Sequence, residues 1–228
     1  MLALGLDTAL SSCSAALVRD GAVLASRVLP LEKGHAERLA PIVAEVIADA
    51  GADIADIDRV GVVVGPGGFA GVRVGVAFAR GLAIGTRIKV VGIDSLAALA
   101  RTAKAGAAGC VAAIVDAHRG EVYAALYKGD RTLVSTFAAA PGEAMARLLA
   151  AGAADAAAVG DGVRLVDPDA SHFVDLGAPP IDAAEVARFA GAAPEPSAAP
   201  APLYLRNPDA RPSAPSAFAA LLLREGEH

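Results

Sequence analysis

The segment Val72–Gly85, VRVGVAFARGLAIG, has helical spacing but almost no polar face. Only Arg73 and Arg80 interrupt its apolar surface, and they share one stripe. A surface helix of a monomer sets an apolar stripe against a charged one. This helix needs cover on both sides, either at the centre of a core or against another protein. It is too short for a membrane span and carries Arg on its wall.

A buried strand, VGVVV at 60–64, and a loop, Gly65-Pro66-Gly67-Gly68-Phe69-Ala70-Gly71, precede the helix. A glycine loop before a helix suits anions, because free N–H groups and the helix dipole point at the ligand. No Lys-Ser/Thr pair follows, so the loop is not a P-loop. Gly65, Gly67 and Ala70 do fit the G-x-G-x-x-G/A pattern, and Asp94 lies after the next strand, where a ribose-binding acid would sit. Against dinucleotide binding, Pro66 removes a donor from the cradle, and the loop does not open the chain. The competing reading makes Gly65, Pro66, Gly67 and Gly71 a structural turn that lets the helix approach the sheet.

Three strands are predicted at Leu2–Leu6, Cys13–Val18 and Val23–Leu29, then a helix over His35–Ala50 that stops at Gly51. Its Ala36, Ala40, Ala44 and Ala48 widen the apolar surface beyond what one sheet requires. A strand at Ile88–Ile93 and a helix from about Ser95 follow. A second meander, Val111–Val115, Val122–Tyr127 and Thr132–Phe137, matches the first at a shift of 109 residues, aligning Asp7 with Asp116 and Ser26 with Ser135. The chain is therefore expected to be α/β, two β-β-β-α units with mixed sheets: residues 1–103 and 104–202, with 203–225 packing back on the first. Ala192–Pro202 reads as a connector, Leu203–Arg206 as a short extended piece and Asn207–Pro215 as loose. Ser216 would cap a helix over Ala217–Arg224.

In each copy an Asp ends the first strand. Asp7, Thr8 and Ser12 with Asp116 form a possible nucleotide cleft if the two turns face each other. His35, His118, His172 and His228 are unpaired at helical spacing, which argues against a protein-bound zinc or iron. No G-x-S-x-G elbow appears. Asp116, Arg119 and Glu121 make a charged turn of a kind more often solvated than catalytic. Cys13 and Cys110 read as reduced, buried thiols. The start, MLALGLD, lacks the basic region of a signal peptide, so a cytoplasmic protein is expected. The net charge of −5 and pI near 5.4 suit RNA contact only through a more basic partner.

Taken together, LGLDTA, the Gly34-His35 helix start, GPGGFAGVRVG, DAHRGEVYAALY and PLYLR resemble the bacterial TsaB (YeaZ) family. The family loop usually reads G-P-G-S-F-T-G, so Gly68 and Ala70 lack two hydroxyls, and His118 replaces the usual Arg of D-A-R-x-G-E-V-Y. The resemblance implies an actin-like (ASKHA) fold of two RNase H-like halves. It also implies a part in making N6-threonylcarbamoyladenosine on tRNA, in which TsaC supplies threonylcarbamoyl-AMP. The catalytic, metal-bearing subunit there is the paralogue TsaD. Pairing with TsaD would run through helices 35–50 and 71–85, and the P-loop ATPase TsaE joins them.

On that reading the partner face comprises Leu39, Ala40, Val43, Ala44, Ile47, Arg73, Val76, Ala77, Arg80 and Ile84. The chain would have no catalytic residue, metal or cofactor of its own, with ATP or ADP entering only at the complex, and it would form a homodimer when alone. The alternatives are a dinucleotide-binding enzyme using Gly65–Ala70 and Asp94, and a glycoprotease-like metallohydrolase.

Overall fold

The computed structural model describes residues 1–103 and 109–205. Strands Leu2–Asp7 (β1), Ser12–Arg19 (β2) and Ala22–Pro30 (β3) form an antiparallel meander. Arg59–Val63 (β4) and Lys89–Ile93 (β5) extend it in parallel, in the order β3-β2-β1-β4-β5. Helices His35–Asp49 (α1), Phe69–Ala83 (α2) and Ser95–Thr102 (α3) follow β3, β4 and β5.

The second half runs through the same series. Its strands are Cys110–His118 (β6), Glu121–Lys128 (β7), Arg131–Ala139 (β8), Ala157–Val159 (β9) and Val174–Asp175 (β10), ordered β10-β9-β6-β7-β8. Its helices are Pro141–Ala150 (α4), Val163–Val166 (α5) and Ala183–Ala192 (α6). The 109-residue shift carries β2 onto β7 and β3 onto β8 end for end. This is the α/β fold with two mixed sheets that the actin-like resemblance implies. The copies are unequal, because α2 and β5 have only the one-turn α5 and the two-residue β10 as counterparts.

One face of the first sheet is covered by α1 and α2, whose Leu39, Ile42, Val43, Val46, Val72 and Val76 join Leu4, Leu6 and Leu17 in the main core. The other face is covered by α6, through Ala183, Ala184 and Ala187 against Ala3, Ala16 and Val18. That approach is very close: a Cβ on Gly5 would lie 1.9 Å from the Ala183 carbonyl oxygen, and one on Gly61 2.5 Å from that of Val186. Arg59 donates to the Ala190 carbonyl at 2.9 Å and also to that of Ala193, satisfying carbonyls left free at the end of α6.

Conversely, α3 packs on β6 and β7 of the second sheet and touches α6. The two third helices are thus exchanged between the sheets. A unit running from 104 to 202 does not describe the chain, since residues 183–192 build the first half's core. In an Ala-rich sequence the small-residue face of α6 looks like the connector that follows it. Residues 200–205 also return to the first half, with the Leu203 N–H donating to the Val64 carbonyl at 2.7 Å. The expected segment Asn207–Pro215 and helix Ala217–Arg224 lie outside the described residues, as does Arg206.

Candidate functional site

The glycine loop and the β1–β2 turn form one packed unit. The Gly68 N–H donates to the Ala9 carbonyl at 2.8 Å, and Thr8 Oγ1 donates to the Gly71 carbonyl at 2.7 Å. A Cβ on Gly67 would lie 2.3 Å from the Ala9 carbonyl oxygen, and one on Gly71 2.0 Å from that of Thr8. Gly75, one turn on, leaves room for the Thr8 hydroxyl. Gly65 takes φ +103°, before a cis bond to Pro66, and its carbonyl accepts from the Ser95 N–H. The glycines therefore let α2 and its loop sit on the turn. Gly81 and Gly85, by contrast, meet nothing within 4 Å.

Packing of this kind buries most of the residues of the predicted nucleotide cleft. Asp7, Thr8 and Ser12 are buried, whereas Asp116 is half-exposed. The Asp7 carboxylate accepts from the Ala9 N–H at 2.9 Å and the Ser12 hydroxyl at 3.2 Å. Burial pushes its pKa up to about 7 despite those donors. Asp116 belongs to a different network, accepting from the His118 N–H while its own N–H donates to Asp161. The three buried residues and the half-exposed Asp116 do not line one open cleft, and the loop from 65–71 packs on Thr8 and Ala9.

The dinucleotide reading fails on the same geometry. The Gly68 amide is spent on Ala9, and Asp94 caps α3, accepting from the Leu96 and Ala97 N–H groups. Burial raises the Asp94 pKa, opposed by the Thr136 hydroxyl and those two amides. The Asp94 side chain lines a cavity of about 420 Å³ between the halves, with Arg101, Tyr127, Asp130, Glu185 and Phe189. Arg101 and Asp130 pair there at 2.7 Å.

Ser171, His172 and Asp167 stand together without forming a triad. Both the serine hydroxyl and the carboxylate approach the same ring nitrogen of His172, at 2.8 and 3.4 Å, whereas a triad uses both nitrogens. Asp167 organises its loop instead. Burial works to raise its pKa, but the Ser171, His172 and Phe173 N–H groups outweigh that and hold it down at about 2. Cys13 and Cys110 are free, and burial with Asp7 nearby pushes the Cys13 thiol up to about 11, against the pull of Arg38.

The helix pair divides by face. Leu39, Val43 and Val76 point into the chain's own core and are withdrawn from the predicted partner surface. Their helical spacing could not show which apolar stripe meets the sheet. Ala40, Ala44, Ala77, Arg73, Arg80 and Ile84 are exposed, Ile84 at 81%, and Ile47 is half-buried. Ala36 and Ala48 continue the exposed ridge of α1. Arg27 ties α1 to β3 through Asp49 and, at 3.8 Å, Glu45.

An aromatic cluster at the start of α2 was missed in the sequence. The Arg73 guanidinium lies 3.6 Å from the Phe69 ring centre, and its Nε donates to the Tyr204 hydroxyl at 2.8 Å. Phe69 and Tyr204 are 44% and 43% exposed, with ring centres 5.2 Å apart. Their rarity is the usable signal, in a chain with three Tyr and six Phe.

A family model described as TsaD, tRNA N6-adenosine threonylcarbamoyltransferase, matches residues 25–171. The tRNA threonylcarbamoyladenosine biosynthesis protein TsaB of Escherichia coli is 41% identical over 133 residues, 57% of this chain and 56% of that protein. The matched part of this chain thus spans little more than half of that relative. An uncharacterized protein of Mycobacterium tuberculosis is 38% identical over 227 residues, covering 92% of this chain and 94% of its own. Among solved structures, a Pseudomonas aeruginosa protein described as similar to peptidase YeaZ superposes with a TM-score of 0.77 at 30% identity. That match covers 90% of this chain and 99% of the other.

Proposed function

This chain belongs to the TsaB (YeaZ) family, and on that premise we propose that it serves tRNA threonylcarbamoyladenosine biosynthesis as a non-catalytic scaffold for TsaD. The observation that carries this reading is the outward face of α1 and α2. Ala36, Ala40, Ala44 and Ala48 on α1, and Ala77, Gly81 and Ile84 on α2, are exposed and leave two helix backbones thinly covered and open to a partner's helices. Exposed apolar positions at this spacing, with the exposed Arg73 and Arg80 beside Ala77, suit an interaction site. The paralogue shares the fold, so its equivalent pair can form a mixed four-helix contact. A second copy of this chain would use the same face when TsaD is absent.

On this reading the buried Asp7, Thr8 and Ser12 give the β1–β2 turn a packing role. ATP or ADP enters at the level of the complex, where TsaE joins, and tRNA is reached through the partner subunits.

The test is the pair Ala44→Arg and Ala77→Arg. Both positions are exposed, so the unfolding midpoint should stay within the small range typical of surface changes. Affinity for TsaD, measured by titration calorimetry, should fall at least ~10-fold, about 1.4 kcal/mol. Unchanged affinity in both variants rejects the interface.

A further inference from the structure

We propose that residues 217–224 of this same chain dock on the outward face of α1 and α2 and compete with the partner for it. The proposal deepens the scaffold reading and rests on it for its competitive part. Its structural basis is the path of residues 200–205. Leu203 is hydrogen-bonded to Val64 at 2.7 Å, with its carbonyl against Gly65. Tyr204 is then held on the first turns of α2 by Phe69 and Arg73. The chain thus leaves the described residues at one end of the exposed face.

From there, residues 206–216 span up to about 36 Å when extended, and α2 with its fifteen residues is about 22 Å long. Any point on the face is within reach. The sequence that follows fits it. By its sequence pattern, a helix expected from Ser216 would set Phe218, Leu221 and Leu222, at i, i+3 and i+4, on one large-residue stripe. Opposite stands a ridge of alanines, the complementary shape for such knobs. If the helix runs in the direction of α2, Glu225 and Glu227 arrive at its far end, where Arg80 is exposed. The occupant is therefore taken to be this segment of the chain itself.

The first experiment needs no partner. The full chain carrying Ala77→Cys and Leu222→Cys, dilute and under mild oxidation, is expected to form an intrachain disulfide, read as a monomeric species by non-reducing gel and mass spectrometry. Adding Leu221→Asp should slow that bond at least ~10-fold by removing docking while leaving the tether. Equal rates with and without Leu221→Asp, or only interchain products, overturn the proposal. In the second experiment, Leu221→Asp in the otherwise unaltered chain should raise affinity for TsaD several-fold. A positive cross-link with a TsaD affinity that Ala44→Arg does not change would sink the partner reading and leave the docking intact. A negative cross-link with an Ala44→Arg defect would do the reverse.

Discussion

At residue scale, Asp7 is the group whose chemistry the fold changes most. The folded chain keeps its proton up to about pH 7, while an unfolded Asp releases it near 3.8. Between those values the folded state binds the extra proton, so stability falls as pH rises, by on the order of 4 kcal/mol across the window. Asp7→Asn should flatten this slope and leave the protein more stable than wild type above pH 7, as urea unfolding between pH 4 and 8 will show. Asp167 behaves in the opposite sense, with a folded pKa of about 2. Its stabilisation is complete above the unfolded value and disappears as pH falls through 2. The Asp-ended strand was visible in the sequence. Its burial was not, because the turn that follows it, Thr8 and Ala9, is packed under a loop some sixty residues further along.

At the scale of elements, two glycines of α2 separate packing from propensity. Gly71→Ala puts a Cβ 2.0 Å from the Thr8 carbonyl oxygen and should cost at least ~2 kcal/mol despite the better helix former. Gly81→Ala meets nothing and should gain up to about 1 kcal/mol. Chemical denaturation of the two variants gives opposite signs if α2 is seated on the β1–β2 turn as described. The meanders and α1 were legible from alternation and helical spacing, to within three residues. The elements β9, α5 and β10 were not, because two to four residues carry no periodicity. The apolar excess of α2 was visible in the sequence, yet which residues face inward was decided by the register of the helix on its sheet. That register sends Val76 inward and leaves Ala77 outside.

For the whole molecule, the 109-residue repeat made the paired architecture readable, while the exchange of third helices was hidden in it. A repeat shows that two units exist and says nothing about which sheet each helix chooses. Gly5 and Gly61 record that choice, as holes in two strands shaped for the backbone of α6. Gly5→Ala should therefore disturb residues far away in sequence. Hydrogen exchange is expected to speed up in α6 and β1 together and to leave α4 and β8 unchanged.

The same helix has a consequence for how the protein is made. Residues 2–93 contain every strand of the first sheet, yet one face of that sheet is covered by residues 183–192. During synthesis at ~5–20 residues per second, some ninety further residues must emerge before Ala3, Ala16 and Val18 meet their cover. For several seconds the growing chain presents a bare apolar sheet with β3 as an open edge, the state most open to aggregation or chaperone capture. The first half of this protein can be translated early, but it can finish folding only when the second is nearly complete.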